Sequence, residues 1–260
     1  MKTYIINLKR SEERRKYVLK EVSRYACMDI ELVEAVDGSL LSSEEIDEGF
    51  DVKRFWYKNR RYPLLAEIGC TLSHRECYRR LLESGENIAL ILEDDVSFHR
   101  PDFVDNVIES CVEILKEKKT GIIIFSLSEI VFSKGKKIEC GYSLNKVWLA
   151  YGTQAYLIHR SAAEQLLKYI PSYVADDYQC MNIIGVNIYG VMPVFSTGKS
   201  SEGEVQGEIQ LTKENICVYE NIPFRYKLRD LLIRIFRKSL IILNIMTVHK
   251  YNSFNKENKK

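Results

Sequence analysis

Residues 88–98 read IALILEDDVSF. Four apolar residues, Ala89 to Leu92, run without a break and stop at Glu93-Asp94-Asp95. A short apolar run that ends abruptly in charge reads as a buried, parallel-type strand emerging at its C-terminal edge. In open α/β sheets that edge is where ligands sit. Three successive acids repel one another and lose solvation there, so they call for a cation. Hard carboxylate oxygens suit Mg²⁺ or Mn²⁺, ions that commonly also bridge substrate phosphates. The plainer reading is a charged loop after a core strand. What decides between the two is what else the chain brings to the same edge.

Upstream, Thr3–Leu8 is β-rich and apolar. Asn7, Lys9 and Arg10 stand at its C-terminal end. Ser11 is placed to cap a helix whose first turn holds Glu12 and Glu13, and Val18, Leu19, Val22 and Ala26 give its apolar stripe. Ile30–Val36 reads as a second strand ending at Asp37-Gly38. This strand–helix–strand opening predicts a doubly wound α/β fold with a mostly parallel central sheet. Arg10, Arg14 and Arg15 near the first crossover could meet a phosphate, or simply be solvated surface charges. Ser42 and Glu45 form a capping box. Residues 49–66 mix Phe55, Trp56, Tyr57 and Tyr62 with five basic residues and fit no period, which predicts a long loop over the strand edge. Glu67–Ser84 reads as a helix with Cys70, His74, Cys77, Tyr78 and Leu81 on one face. His74 then points inward, as a core residue or toward the edge.

Downstream, Pro101 opens a helix with an apolar face, and Gly121–Phe125 is another buried strand. Residues 126–150 read as a loop or hairpin. Gly152–His159 reads as a strand, and Arg160–Tyr169 as a helix capped by Ser161 or its neighbour. Asp176-Asp177 precedes a short helix-like run. Gly185–Phe195 reads as a final strand, and residues 196–214 as a mobile Ser/Gly/Glu-rich segment.

The 260 residues, 46% hydrophobic and 28% charged, suit a soluble globular chain. Residues 222–260 carry ten Lys and Arg against two acids, a net +8, which leaves −6 for residues 1–221. An acidic body argues against nucleic acid as its partner, and a basic tail suits an anionic surface. Leu228, Leu231, Leu232, Ile235 and Phe236 follow helical spacing opposite Arg234, Arg237 and Lys238. The tail thus reads as a basic amphipathic helix that lies on a membrane. The division expected is a body over 1–221 and a membrane-associating tail over 222–260. Seven scattered cysteines, with no CxxC and no zinc spacing, suggest a reducing compartment. MKTYIINLKR does not read as a signal peptide, and no run of about 18 apolar residues is present.

YIINLKRSEERR (4–15), EIGCTLSHRECYRRLL (67–82) and ALILEDDVSF (89–98), in that order, resemble glycosyltransferase family 25, the lipooligosaccharide-biosynthesis group that includes collagen galactosyltransferases. AVDG (35–38), YGTQAYLIHRSAAEQLL (151–167) and VADDYQC (174–180) resemble it too. The resemblance spans about residues 3–200 and excludes the tail. It implies a GT-A-like nucleotide-sugar-binding fold, Mn²⁺ or Mg²⁺ on Glu93, Asp94 and Asp95, and inverting transfer from a UDP-sugar, often UDP-galactose. The motif is Glu-Asp-Asp rather than Asp-x-Asp, so which carboxylates touch the metal stays open. Asn7, Arg10, Asp37, Ser73, His74 and Asp94 are the expected donor-site residues. Asp177, then Asp176, is expected to be the base, since Asp176 suits the helix cap. The acceptor implied is a lipid-linked oligosaccharide at the cytoplasmic face of the inner membrane. Two other readings are weighed: a sugar nucleotidyltransferase, which should carry a glycine-rich phosphate loop that NLKRSEERR lacks, and a glycan-binding or adaptor protein, which should have lost its acids.

Overall fold

The computed structural model describes residues 1–118, 120–199 and 224–249. The chain opens with β1 (Lys2–Asn7), α1 (Glu12–Val22) and β2 (Asp29–Glu34), and β1 and β2 pair in parallel from Lys2↔Asp29 to Asn7↔Glu34. Ser11 takes the N-cap position of α1, but its hydroxyl makes no capping bond. The capping box of Ser42 and Glu45 opens α2 (Ser43–Gly49).

The segment read as a long loop contains α3 (Val52–Asn59), capped by the Asp51 carboxylate on Arg54 N and closed by Arg60 at φ 58°. The one fully buried residue of its apolar face is Phe55, packed with Phe50 and Ile68. Val52, one turn before it, packs partly buried on the same cluster. Two apolar contacts in an eight-residue helix, set among basic residues, are a short signal that the mixed composition hides.

Next come α4 (Leu65–Ser84), β3 (Ile88–Glu93), β4 (Val96–Phe98), α5 (Val104–Glu117) and β5 (Gly121–Ile124). Gly85, at φ 78°, closes α4 in the left-handed conformation that a side chain would disfavour. Residues 126–150 are the hairpin β6 (Ser128–Lys137) and β7 (Ser143–Ala150). Then follow β8 (Ala155–His159), α6 (Arg160–Leu167), α7 (Tyr178–Ile183), β9 (Asn187–Met192), β10 (Ser196–Gly198), α8 (Phe224–Ile242) and β11 (Met246–Val248). The cap of α6 is His159, whose ring accepts from Ser161 N.

Among the described residues, nine strands form one mixed sheet in the order β11-β6-β7-β9-β5-β8-β3-β1-β2. Six of them run the same way, while β8, β7 and β11 are reversed. β9 is not the last strand. Ser196–Gly198, in the stretch read as mobile, pairs with β4, and Met246–Val248 of the expected tail pairs with β6, with Met246 2% exposed.

Strand alternation sorts the core. Ala89 and Ile91 pack with Tyr4, Ile6 and the faces of α4, α6 and α7. Leu90 and Leu92 pack with Ile5 and the faces of α1 and α5. Helices on both faces make the central strands apolar on both sides. The six described cysteines are all free.

Candidate active site

Because β1, β2 and β3 are parallel, their C-terminal ends gather Asn7, the Val36–Gly38 loop and Glu93 at one edge. The reversed β8 brings its leading residues to the same place: Glu93 N donates to Gln154 O at 3.0 Å, which sets Thr153 Oγ1 on the Glu93 carboxylate. A cavity of about 230 Å³ opens there, lined by Arg10, Asp37, Ser73, His74, Glu93 and Asp94 among others. The strand-edge reading of the sequence therefore brings five of the six expected donor-site residues to the cavity wall, and Asn7 stands behind it, bonded to Asp94.

The acid triple is not one cluster. Glu93, the last residue of β3, turns toward α4, with Oε1 3.4 Å from His74 Nε2. Asp94 begins the turn into β4 and faces α1: Oδ2 accepts from Asn7 Nδ2 at 2.7 Å, and Oδ1 lies 2.7 Å from Arg14 Nη2. Asp95 Oδ2 is 3.5 Å from the same Arg14 nitrogen. Asp94 and Asp95 are 6% and 3% exposed. Burial pushes Asp94 up to about 6, with Asp95 and Glu93 adding to the rise and Arg14 and Asn7 opposing it. At Glu93 burial acts upward as well, but His74, Thr153 and Arg14 outweigh it and hold the carboxyl below its ordinary value.

His74 is 1% exposed, and its Nδ1 lies 2.8 Å from Tyr156 Oη. Ser73 Oγ accepts from Val36 N at 2.8 Å and donates to Gly69 O at 2.7 Å, pinning α4 to the loop after β2. Arg10 and Asp37 form an ion pair at the rim, and Asp37 caps the turn at Gly38–Leu40.

At the second acid pair the capping roles are the reverse of those expected. Asp177 caps α7, accepting from Cys180 N at 3.0 Å, and its other oxygen pairs with Lys58 of α3. Asp176 instead accepts from Gly152 N at 3.3 Å. Burial raises its carboxyl, and the Glu93 and Asp177 charges raise it further against the Gly152 bond.

The family model described as Glycosyltransferase family 25 (LPS biosynthesis protein) matches residues 1–181. The chain belongs to glycosyltransferase family 25. A glycosyltransferase 25 family member of Anopheles gambiae is 30% identical over 171 residues, 65% of this chain and 28% of that protein. Human procollagen galactosyltransferase 2 is 27% identical over 177 residues, 63% of this chain and 27% of that one. This family 25 chain thus spans little more than a quarter of the length of these curated relatives. A UDP-glucose pyrophosphorylase of Acinetobacter baumannii matches with TM-score 0.45 and 12% identity, over 89% of this chain and 99% of that one. Both acid pairs of the family 25 chain lie within the matched residues.

Sequence reasoning passed over two contacts at this edge, Thr153 on Glu93 and Lys58 on Asp177, neither of which has a local signal. It placed Cys70 and His74 on one helix face, but not Glu93 beside them. Arg14 was one of three candidate phosphate contacts, and it is the one paired with the acids. Glu202 and Glu204, the acids of the Ser/Gly/Glu-rich segment that would serve as base if neither aspartate does, lie outside the described residues.

Proposed function

We propose that this chain transfers a hexose, galactose first, from a UDP-sugar to a glycan acceptor with inversion at the anomeric carbon. The observation that carries this reading is the cavity at the strand edge, with Asp94 and Asp95 buried beside it and focused on one cationic atom. Two carboxylates that already converge on the Arg14 guanidinium fit a divalent cation in its place, and all-oxygen donors favour Mn²⁺ or Mg²⁺. Such an ion, when bound, supplies neutralisation of the leaving diphosphate. Asn7 orients the Asp94 carboxylate. Arg10, Asp37 and His74 wall the donor cavity, and Ser73 holds that wall in place. Glu93, turned toward His74, is left out of the Asp94–Asp95 pair.

An inverting displacement also needs a carboxylate to take the acceptor hydroxyl proton. Asp177 has its oxygens engaged by the helix cap and Lys58. Asp176 is therefore the proposed base, since a raised carboxyl basicity suits proton abstraction near neutrality.

The proposed acceptor is a lipid-linked oligosaccharide of lipopolysaccharide type, reached from the cytoplasmic face of the inner membrane. On α8, Leu231, Leu232, Ile235 and Phe236 are about half exposed beside exposed Arg234 and Lys238, a surface suited to anionic lipid. Among the described residues no helix is long and apolar enough to cross a membrane. The proposed division is a transferase body over 1–221 and a membrane-binding tail over 222–260, with β11 returning to the body's sheet.

The test is a screen of UDP-sugars with Mn²⁺, reading released UDP. Asp176→Asn is expected to lose turnover by several orders of magnitude while keeping donor affinity. Asp95→Ala should abolish transfer with the melting transition largely kept. Full activity in either variant rejects the corresponding role. For the tail, Arg234, Arg237 and Lys238 changed together to Gln should reduce pelleting with anionic vesicles. A truncation at 221 would confound that test by removing β11.

A further inference from the structure

We propose that Cys70, His74 and Glu93 form a zinc-class metal site on the α4 wall of the cavity, separate from the Asp94–Asp95 pair. The proposal goes beyond the transferase reading and does not depend on it.

Cys70 and His74 are four residues apart on α4 and share one face, and Glu93 reaches them from the end of β3. Sγ, the imidazole nitrogen and the carboxylate oxygen all lie within 4.8 Å of one another. Tetrahedral zinc, with ligand bonds of about 2.0–2.3 Å, needs its ligand atoms about 3.5 Å apart. The closure required is small, and His74 Nε2 to Glu93 Oε1 is at 3.4 Å already.

A second observation concerns His74 itself. Its Nε2 is buried, and the Glu93 carboxylate 3.4 Å away lies outside good hydrogen-bond geometry, although a poorly made bond at a buried polar atom is costly. The ring is not free to turn toward another partner. Nδ1 is held by Tyr156 Oη, which lies 3.0 Å from Tyr78 Oη. A histidine fixed through one nitrogen by a polar partner, with the other aimed at a thiol and a carboxylate, has the arrangement of a metal ligand.

The donor chemistry separates this site from its neighbour. Thiolate, imidazole and a single carboxylate suit a borderline-soft ion such as Zn²⁺, whereas the Asp94–Asp95 oxygens suit a hard one. All three ligands line the cavity, so the remaining coordination position faces it and is open to water or to a ligand. Binding displaces the Cys70 thiol proton, which leaves to solvent as the ion arrives.

The experiment uses the full chain, stripped with chelator and titrated with Zn²⁺ or Co²⁺ alone, with no sugar nucleotide present. One equivalent of Zn²⁺ should bind, and Co²⁺ should give a thiolate-to-metal charge-transfer band with visible absorption of tetrahedral intensity. Cys70→Ser should remove the band, and His74→Gln should abolish stoichiometric binding. Tyr156→Phe, which frees the ring, should weaken Zn²⁺ by about 10–100-fold. Cys27→Ser and Asp94→Asn should leave binding intact. Absence of the cobalt–thiolate band in the unmutated chain overturns the site without any variant. Unchanged Zn²⁺ affinity in Cys70→Ser and His74→Gln overturns it as well, leaving a buried His74–Glu93 contact only. Loss of binding in Asp94→Asn alone would transfer the ion to the other pair and equally reject the proposal.

Discussion

Replacing Asp94 by Asn should stabilise this protein above pH 6. In the fold the Asp94 carboxyl is raised from 3.8 to about 6, chiefly by burial, with Arg14 and Asn7 only partly offsetting it. The folded state therefore binds this proton more tightly than the unfolded chain. Stability from the protonated form is complete below about 3.8 and is lost as pH rises through about 6. That interval, at about 1.4 kcal/mol per pH unit, comes to about 3 kcal/mol. Asparagine imitates the protonated acid in shape, keeps an oxygen for Asn7 Nδ2, and does not titrate. The advantage of Asp94→Asn over the unmutated chain should then grow by about 3 kcal/mol from pH 4 to pH 7 and level off above. For a chain of this size that is a difference of roughly 6–12 °C in Tm. Urea denaturation of both proteins across pH 4–8, without divalent ions, measures it. The same variant should lose transfer, so stability and activity would part at one residue. A stability difference that stays flat across this range, or falls as pH rises, would refute the reasoning, because the burial cost of the charged carboxylate would then be absent.

Gly69→Ala should destabilise: its Cβ would meet Val36 O and Gly38 N at 2.6 Å, both backbone atoms. Overpacking of about 1–3 kcal/mol exceeds the roughly 1 kcal/mol gained in helix propensity, and urea unfolding that showed a gain would mean the loop yields. Asp177→Ala should lower stability by about 0.5–2 kcal/mol through loss of the α7 cap, read by Tm, and an unchanged Tm would remove the capping role. Leu90→Ala, fully buried against α1 and α5, should cost about 2–5 kcal/mol in the same assay. Chelation with EDTA should stop UDP release and added Mn²⁺ should restore it, whereas full activity in EDTA rejects the proposed metal.

The sequence by itself determined the frame. An apolar run uninterrupted on both faces means a strand covered on both sides, and Ala89–Leu92 is such a strand. Its junction with charge marks the sheet edge because carboxylates cannot continue into the core, and the ordered motifs around it carry the family. These are local signals, and β1, β2, β3 and the α4 helix follow them closely. Only the tertiary structure decided how the acids are shared. Neighbouring side chains at a strand end leave in different directions, and what each then meets depends on elements distant in sequence: Glu93 meets α4, whereas Asp94 meets α1 and the end of β1. The same holds for Asp176 and Asp177, indistinguishable as letters, which part because Lys58 stands beside one and Gly152 N beside the other. The α3 helix was hard to read for a related reason: it is only eight residues long, and its apolar contacts, Phe55 with Val52 beside it, lie among basic and aromatic residues and gain their meaning from Phe50 and Ile68. Hydrophobic pattern fixes which face of an element is buried, but charge pairing across 80 residues of chain depends on distances that only packing sets.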